Sequence, residues 1–267
     1  MLVGIGLPNT TPGADGALLL DWARRADAGP FSTLAVLDRL VYDSVEPFTA
    51  LAAAAAVTSR IGLATMIAIG PLRSAALLAK QAESVQTISS GRLTLGLGVG
   101  ARLDDYEAAE VSHRDRGARL SDQLAHLRDP ARPPLELLVG GGSGATFARM
   151  ARYADGYAHG GGPPRAFASA AARASAAWHD LGRPGRPLLW GQGYFGLGDP
   201  DRGTAYLRDY YDFLGPFADR IAAGNLTTGH AIRDYVRGYA AAGCDVLILL
   251  PTVSDLAEVD RLAEVIG

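Results

Sequence analysis

The sequence predicts an α/β fold: a closed barrel of eight parallel strands that alternate with helices. Three observations carry this expectation. Short apolar runs alternate with amphipathic helical stretches along the whole chain. Several runs are apolar without interruption, as a parallel strand covered on both faces requires. Eight such units in 267 residues suit a closed barrel of about 250 residues better than an open sheet. No change of composition marks a linker, so residues 1–267 read as one domain.

The elements follow in order. Leu2 to Leu7 is the first strand, and Asp15 to Ala28 a helix with Leu18, Leu19, Trp22 and Ala26 at helical spacing, ended by Gly29-Pro30. Thr33 to Leu37 is the second strand. Pro47 opens an alanine-rich helix through Thr58. Arg60 to Ile69 is the third strand, Ser74 to Ser89 a helix closed by Gly91, and Leu93 to Val99 the fourth strand. Ala101 to Val111 reads as a loop and Arg114 to Arg128 as a helix broken by Asp129-Pro130. Leu135 to Val139, Gly156 to His159, Pro187 to Phe195 and Asp245 to Leu250 complete the strands. The helices among and after them are Ala145 to Tyr153, Pro164 to Leu181, Asp201 to Leu214, Ala231 to Ala242 and Leu256 to Ile266.

Composition narrows the function. A net charge of −3 lacks the basic footprint of a nucleic-acid binder. Cys244 is the lone cysteine, so no internal disulfide can form. Met1 to Gly6 shows no secretory signal, and the uncharged run Pro47 to Ser59 is too short to span a bilayer, so the expected location is the cytoplasm. Lys80 is the only lysine and lies inside a helix, which argues against a Schiff base. The five histidines form no His-x-His or His-x-x-x-His pair, and Asp38 stands nearly alone among strand-end carboxylates. No metal site is therefore expected.

In such a barrel the chemistry sits at the C-terminal ends of the strands. That leaves Gly6, Asp38, Arg39, Met66 to Gly70, Gly98 to Arg102, Gly140 to Gly144, His159 to Gly161, Gln192, Tyr194 and Pro251-Thr252. The strongest signal is Gly140-Gly141-Gly142-Ser143-Gly144, where a strand meets a helix. Its free N–H groups and the helix dipole suit a phosphate. Gly160-Gly161-Gly162 adds a second run of bare backbone beside it. Gly96-Leu97-Gly98-Val99-Gly100 is a poor dinucleotide fingerprint and reads instead as room for a flat ligand. With a phosphate cradle and no nucleophile or metal set, a redox cofactor that brings its own chemistry is expected.

The chain resembles the bacterial luciferase-like family of flavin- and deazaflavin-dependent oxidoreductases. The resemblance lies in Ala53 to Thr65, Pro71-Leu72-Arg73, Leu78 to Ala82, Ser90 to Gly100, Arg116 to Leu120, Gly140 to Ser143 and Ala151 to Tyr157. It implies a TIM barrel, with a cofactor phosphate near Gly141, Gly142, Ser143, His159 and Gly160. It also implies a flavin ring against the end of strand three, at Met66, Ile67 and Ala68, where the family often has a non-prolyl cis peptide. The matching bond is Met66–Ile67. Gly6 and Gly98 complete the expected cofactor residues. Where luciferase has a catalytic histidine, this chain has Leu37-Asp38-Arg39, so Asp38 and Arg39 become the candidate catalytic residues. A polar pair of many members is matched by Ala68-Ile69, which makes the slot drier. The insertion before strand five is shortened to Arg128–Leu135, so the pocket should be open or take its cover from elsewhere.

The resulting expectation is a flavin-dependent monooxygenase that uses reduced FMN and O2 on a small organic substrate, with a separate flavin reductase as partner. Alternatives are hydride transfer with coenzyme F420 and a non-catalytic flavin-binding protein. A sugar-phosphate isomerase is disfavoured by the lack of a general base. The Ala50–Val57 helix and the helix of residues 75–89 are expected to form a homodimer face.

Overall fold

The computed structural model describes residues 1–267. In chain order the elements are β1 (Leu2–Gly6), α1 (Gly16–Ala28), β2 (Thr33–Val36), α2 (Pro47–Val57), β3 (Gly62–Ile69), α3 (Ala75–Ile88), β4 (Leu93–Gly98), α4 (Leu103–Ala108) and α5 (Arg116–Leu127). They continue with β5 (Glu136–Gly140), α6 (Gly144–Tyr153), β6 (Gly156–Ala158), α7 (Pro164–Asp180), β7 (Leu188–Phe195), α8 (Pro200–Tyr210), α9 (Phe217–Ala222), α10 (Gly229–Ala241), β8 (Val246–Pro251) and α11 (Ala257–Ile266). All eight strands are parallel, and β8 closes on β1 with Leu2 opposite Val246. This is the (β/α)8 barrel that the alternation of patterns predicts. No helix is long and apolar enough to cross a membrane.

Alternation along the strands builds two apolar layers. In β8, Val246, Ile248 and Leu250 pack with the barrel interior, while Leu247 and Leu249 pack with the helices. In and just after β2, Ala35 and Leu37 face in, and Leu34 and Val36 face out. Successive side chains of a strand point to opposite faces, so a strand buried on both must be apolar throughout. Short polar residues start the helices: Asp15, Ser74, Ser143 and Thr228 each accept a hydrogen bond from the first-turn amide three residues on.

Two stretches depart from the sequence reading. Residues 101–111 are not all loop, since Leu103–Ala108 form α4, with Asp104 and Asp105 in its first turn where the helix dipole favours acids. The helix expected over 201–214 stops at Tyr210. A 3₁₀ turn at Asp212–Leu214 follows, and Gly215, at φ 54°, redirects the chain into α9. Ala54, in the expected dimer face, is buried at 2%, whereas Ala53 and Ala56 of the same helix are exposed.

The pairing of β3 with β4 shifts between Thr65 and Ala68, and the Met66–Ile67 peptide is cis. This bulge corrects the reading of the strand-four glycines. A Cβ at Gly98 would collide with Ile67 Cδ1, and one at Gly96 with the Thr65 carbonyl. Those glycines make room for the Ile67 side chain and the β3 backbone, not for a ligand.

Candidate functional site

A cavity of about 550 Å³ opens where the C-terminal ends of β2 to β7 converge. Such a volume suits a cofactor-sized or drug-sized molecule. One wall is almost bare backbone. Gly140, Gly141 and Gly142 at the end of β5, and Gly160 and Gly161 after β6, line it. A Cβ at Gly142 or Gly160 would meet nothing within 4 Å, so the space in front of them is open. Gly141 has φ 128°, a conformation that an L side chain rarely adopts, and its carbonyl accepts from Tyr157 Oη at 2.7 Å. Burial pushes the Tyr157 hydroxyl up to about 12, which keeps its proton in place for that bond. Ser143 stands one residue behind this wall, and its Oγ accepts from the Thr146 amide at 3.2 Å. Arg173 of α7 donates to the Gly142 carbonyl at 3.3 Å, which brings a positive charge beside the loop.

His159 lies on the same wall. Its Nδ1 is 3.2 Å from Tyr157 Oη, whose own proton is directed to Gly141. Nδ1 therefore supplies the proton of that contact, and Nε2 carries the lone pair. Nε2 is buried and has no hydrogen-bond partner. Burial pushes the imidazole pKa below its ordinary value and favours this neutral form.

The opposite wall is built from side chains. Asp38 and Arg39, 6% and 7% exposed, are both buried, and they turn to different partners. Asp38 accepts from the Ile69 amide at 2.8 Å and from Arg73 Nη1 at 2.7 Å. It thus ties the tip of β2 to the end of the β3 bulge. Burial pushes the Asp38 carboxyl up; Arg73 and the Ile69 amide offset this only in part. Arg73 reaches on to Glu46 at 2.9 Å. Arg39 Nε donates to Asp105 at 2.7 Å, and Asp105 is fully buried. The second oxygen of Asp105 accepts from the amides of Leu40 and Val41. Tyr210, Tyr211 and Phe213, from the segment after β7, complete this wall. They are the cover that the short stretch before β5 does not supply.

Of the residues expected from sequence, Asp38, Arg39, Met66, Ile67, Gly141, Gly142, His159 and Gly160 all line the cavity. Gly6, Ala68, Gly98 and Ser143 do not. Gly6 is packed against Leu250 and Pro251, Gly98 is covered by Ile67, and Ala68 is fully buried in the layer under the helices. A second buried carboxylate reaches the cavity from the first turn of α4, Asp105. Asp105 was hidden in a stretch read as loop, and the pair of acids at a helix start was the only local signal. No three His, Cys, Asp or Glu side chains stand together as a metal site.

The family model described as luciferase-like monooxygenase matches residues 2–132. An uncharacterised protein of Mycobacterium tuberculosis is 29% identical over 195 residues, covering 56% of this chain and 67% of the relative. Among solved structures, an F420-dependent secondary alcohol dehydrogenase in complex with an F420-acetone adduct superposes with a TM-score of 0.82 at 16% identity, over 100% of this chain and 98% of that one. The oxygenating constituent of 3,6-diketocamphane monooxygenase from Pseudomonas putida, in complex with FMN, superposes with a TM-score of 0.72 at 16% identity, over 100% of this chain and 96% of that one.

Proposed function

We propose that this chain, luciferase-like in its sequence over residues 2–132 and in its fold throughout, is a flavin-dependent monooxygenase that takes reduced FMN from a separate reductase. The observation that carries the reading is the bare glycine wall at the barrel mouth, set against a wall of buried charged and aromatic side chains. The residues fit the cofactor. Gly142, just before α6, and Gly160, just after β6, carry no side chain and stand against open space, which suits a phosphate dianion, and Arg173 adds charge. His159 Nε2 is a buried acceptor that lacks a donor, and a polyhydroxylated chain would supply one. Met66 and Ile67 offer an apolar surface for a flat ring.

Bound there in reduced form, FMN supplies the electrons that activate O2. The protein's part is to orient the ring and exclude water. Asp38 acts here as a positioning residue, since both its oxygens are engaged by Arg73 and Ile69. Tyr210, Tyr211 and Phe213 shield the open side. A second reading, hydride transfer with F420, is favoured by the 0.82 superposition on an F420-dependent dehydrogenase.

The test is a fluorescence titration of the purified protein with FMN and with F420 at low micromolar concentration. Saturable quenching by FMN supports the first reading, and F420 binding without FMN binding supports the second. Binding of neither contradicts both. Residues 1–267 are proposed to act as one domain within a homodimer that uses the exposed faces of α2 and α3. Light scattering should show Ala53→Arg shifting the protein toward monomer with its melting temperature retained.

A further inference from the structure

Five of the ten tyrosines stand in one cluster beside the cavity: Tyr42, Tyr194, Tyr206, Tyr210 and Tyr211. Tyr210 and Tyr211 line the cavity itself. Their rings meet edge to face with centres 5.0 Å apart, and Tyr210 meets Tyr42 in the same way at 5.1 Å. Tyr194 and Tyr206 branch off this line, 6.0 Å from Tyr211 and 5.6 Å from Tyr210. The line Tyr211, Tyr210, Tyr42 thus runs from the cavity to a half-buried ring. There the Tyr42 hydroxyl donates to the exposed Asp209 carboxylate at 2.6 Å.

The hydroxyl partners set Tyr42 apart. Tyr194 and Tyr211 share one hydrogen bond at 2.6 Å, and Tyr206 pairs with Thr10 at 2.8 Å. Each of those neighbours is an uncharged hydroxyl, which accepts a proton poorly. Burial pushes the Tyr210 hydroxyl well above its ordinary value, so its proton stays in place. Tyr42 faces a carboxylate within the reach of a direct proton transfer. A phenol that loses an electron becomes a strong acid, so the loss is stabilised where a base takes the proton. An oxidising equivalent that enters at Tyr211 therefore settles at Tyr42. Met66, an oxidisable side chain, lines the same cavity. We propose that Tyr211, Tyr210 and Tyr42 form a discharge path that carries a one-electron oxidising equivalent from the cavity to the surface. In one discharge an oxygen-derived radical in the cavity gains one electron, which leaves the Tyr42 ring by way of Tyr210 and Tyr211. The phenolic proton passes to Asp209, and a neutral tyrosyl radical is left at Tyr42. A soluble one-electron donor such as ascorbate then returns the electron, and Asp209 returns the proton. The inference rests on the flavin reading only for the natural source of the oxidant.

The experiment places a photo-oxidant in the cavity without any flavin. Ala101 is exposed and lines the cavity, and Cys244, the lone cysteine, is buried. Ala101→Cys therefore takes a thiol-reactive ruthenium polypyridyl label selectively. A light flash with a cobalt(III) ammine as electron sink turns the label into a one-electron oxidant, and EPR of the rapidly frozen sample reads the radical. The labelled protein should give a tyrosyl signal. Tyr42→Phe, Tyr210→Phe and Asp209→Asn should each lower its early yield at least about fivefold, whereas Tyr206→Phe, off the path, should change it by less than about twofold. The Phe variants keep the ring and lose one hydroxyl, so thermal melts should show all of them folded. No tyrosyl signal in the labelled parent would overturn the proposal. So would an undiminished signal in Tyr42→Phe or Asp209→Asn, or Tyr206→Phe losing as much as Tyr210→Phe. FMN is titrated separately on the unlabelled protein. A chain that discharges through Tyr42 but binds no FMN would overturn the FMN reading and support this one.

Discussion

At the N-terminal end of the barrel, Arg60, Arg92 and Arg183 donate to main-chain carbonyls, while at the C-terminal end Arg39 is held by carboxylates. Arg60 donates to the carbonyls of Asp27, Gly29 and Phe31, where α1 ends. Arg92 donates to those of Ala55, Thr58, Ile61 and Ser89, where α2 and α3 end. Arg183 does the same at the end of α6 through Ala151 and Ala154. Each neutralises carbonyls that a helix end leaves without partners. At the other end Arg39 is held by carboxylates, and its Nη1 bonds to nothing in the chain. The same residue type meets main-chain carbonyls at one end of the barrel and buried carboxylates at the cavity at the other. That division follows the general rule for these barrels, in which the N-terminal face serves stability and the C-terminal face chemistry.

The largest effects expected are on stability, and they separate the two ends. Asp105→Ala leaves the Arg39 charge and two amides without their acceptor, and should cost about 3–5 kcal/mol. Arg92→Ala leaves four carbonyls under-satisfied and should cost about 3 kcal/mol. Both lower the denaturation midpoint in urea. Only Asp105→Ala should also change ligand binding, because Arg92 lies at the far end of the barrel. A ligand-binding defect in folded Arg92→Ala would erase the distinction between the ends.

A smaller effect sharpens the account of the C-terminal end through pH. Burial holds the His159 imidazole below the ordinary histidine pKa of about 6.5. Below that value the unfolded chain binds the proton more readily than the folded one. The stability contributed by the neutral ring is therefore fully present above about pH 6.5, and it fades as pH falls toward the depressed folded value. Thermal melts of His159→Asn should show a shallower loss of stability between about pH 6.5 and 5 than the wild type. Parallel curves for the two proteins would mean that His159 does not report on this site.

How much was legible follows the same division. The barrel was readable because each strand and helix is a local pattern, and the glycine wall was readable because Gly140–Gly144 and Gly160–Gly162 are consecutive in sequence. The cis bond at Met66–Ile67 came through family resemblance, not from any local signal. The charged and aromatic wall was only half visible. Asp38 and Arg39 stood out at a strand tip, but their partners are distant in the chain: Arg73 and Glu46 for one, Asp105 for the other, and Tyr210 to Phe213 above them. Nothing in the local pattern of residues 101–111 announces that a carboxylate there is fully buried. Gly98 was misread because a glycine shows only that space is needed, and here the occupant is Ile67, turned inward at the bulge.

The central claim is that the bare wall at Gly142 and Gly160 holds a phosphate. The direct measurement is a pair of binding titrations, FMN against riboflavin, on the wild type and on Gly142→Pro, which removes one backbone donor. FMN should bind the wild type at least about tenfold tighter than riboflavin, a difference of about 1.4 kcal/mol. Gly142→Pro should remove most of that advantage and leave riboflavin unchanged. Equal affinity of the wild type for the two flavins, or an equal loss for both in the variant, would contradict the account.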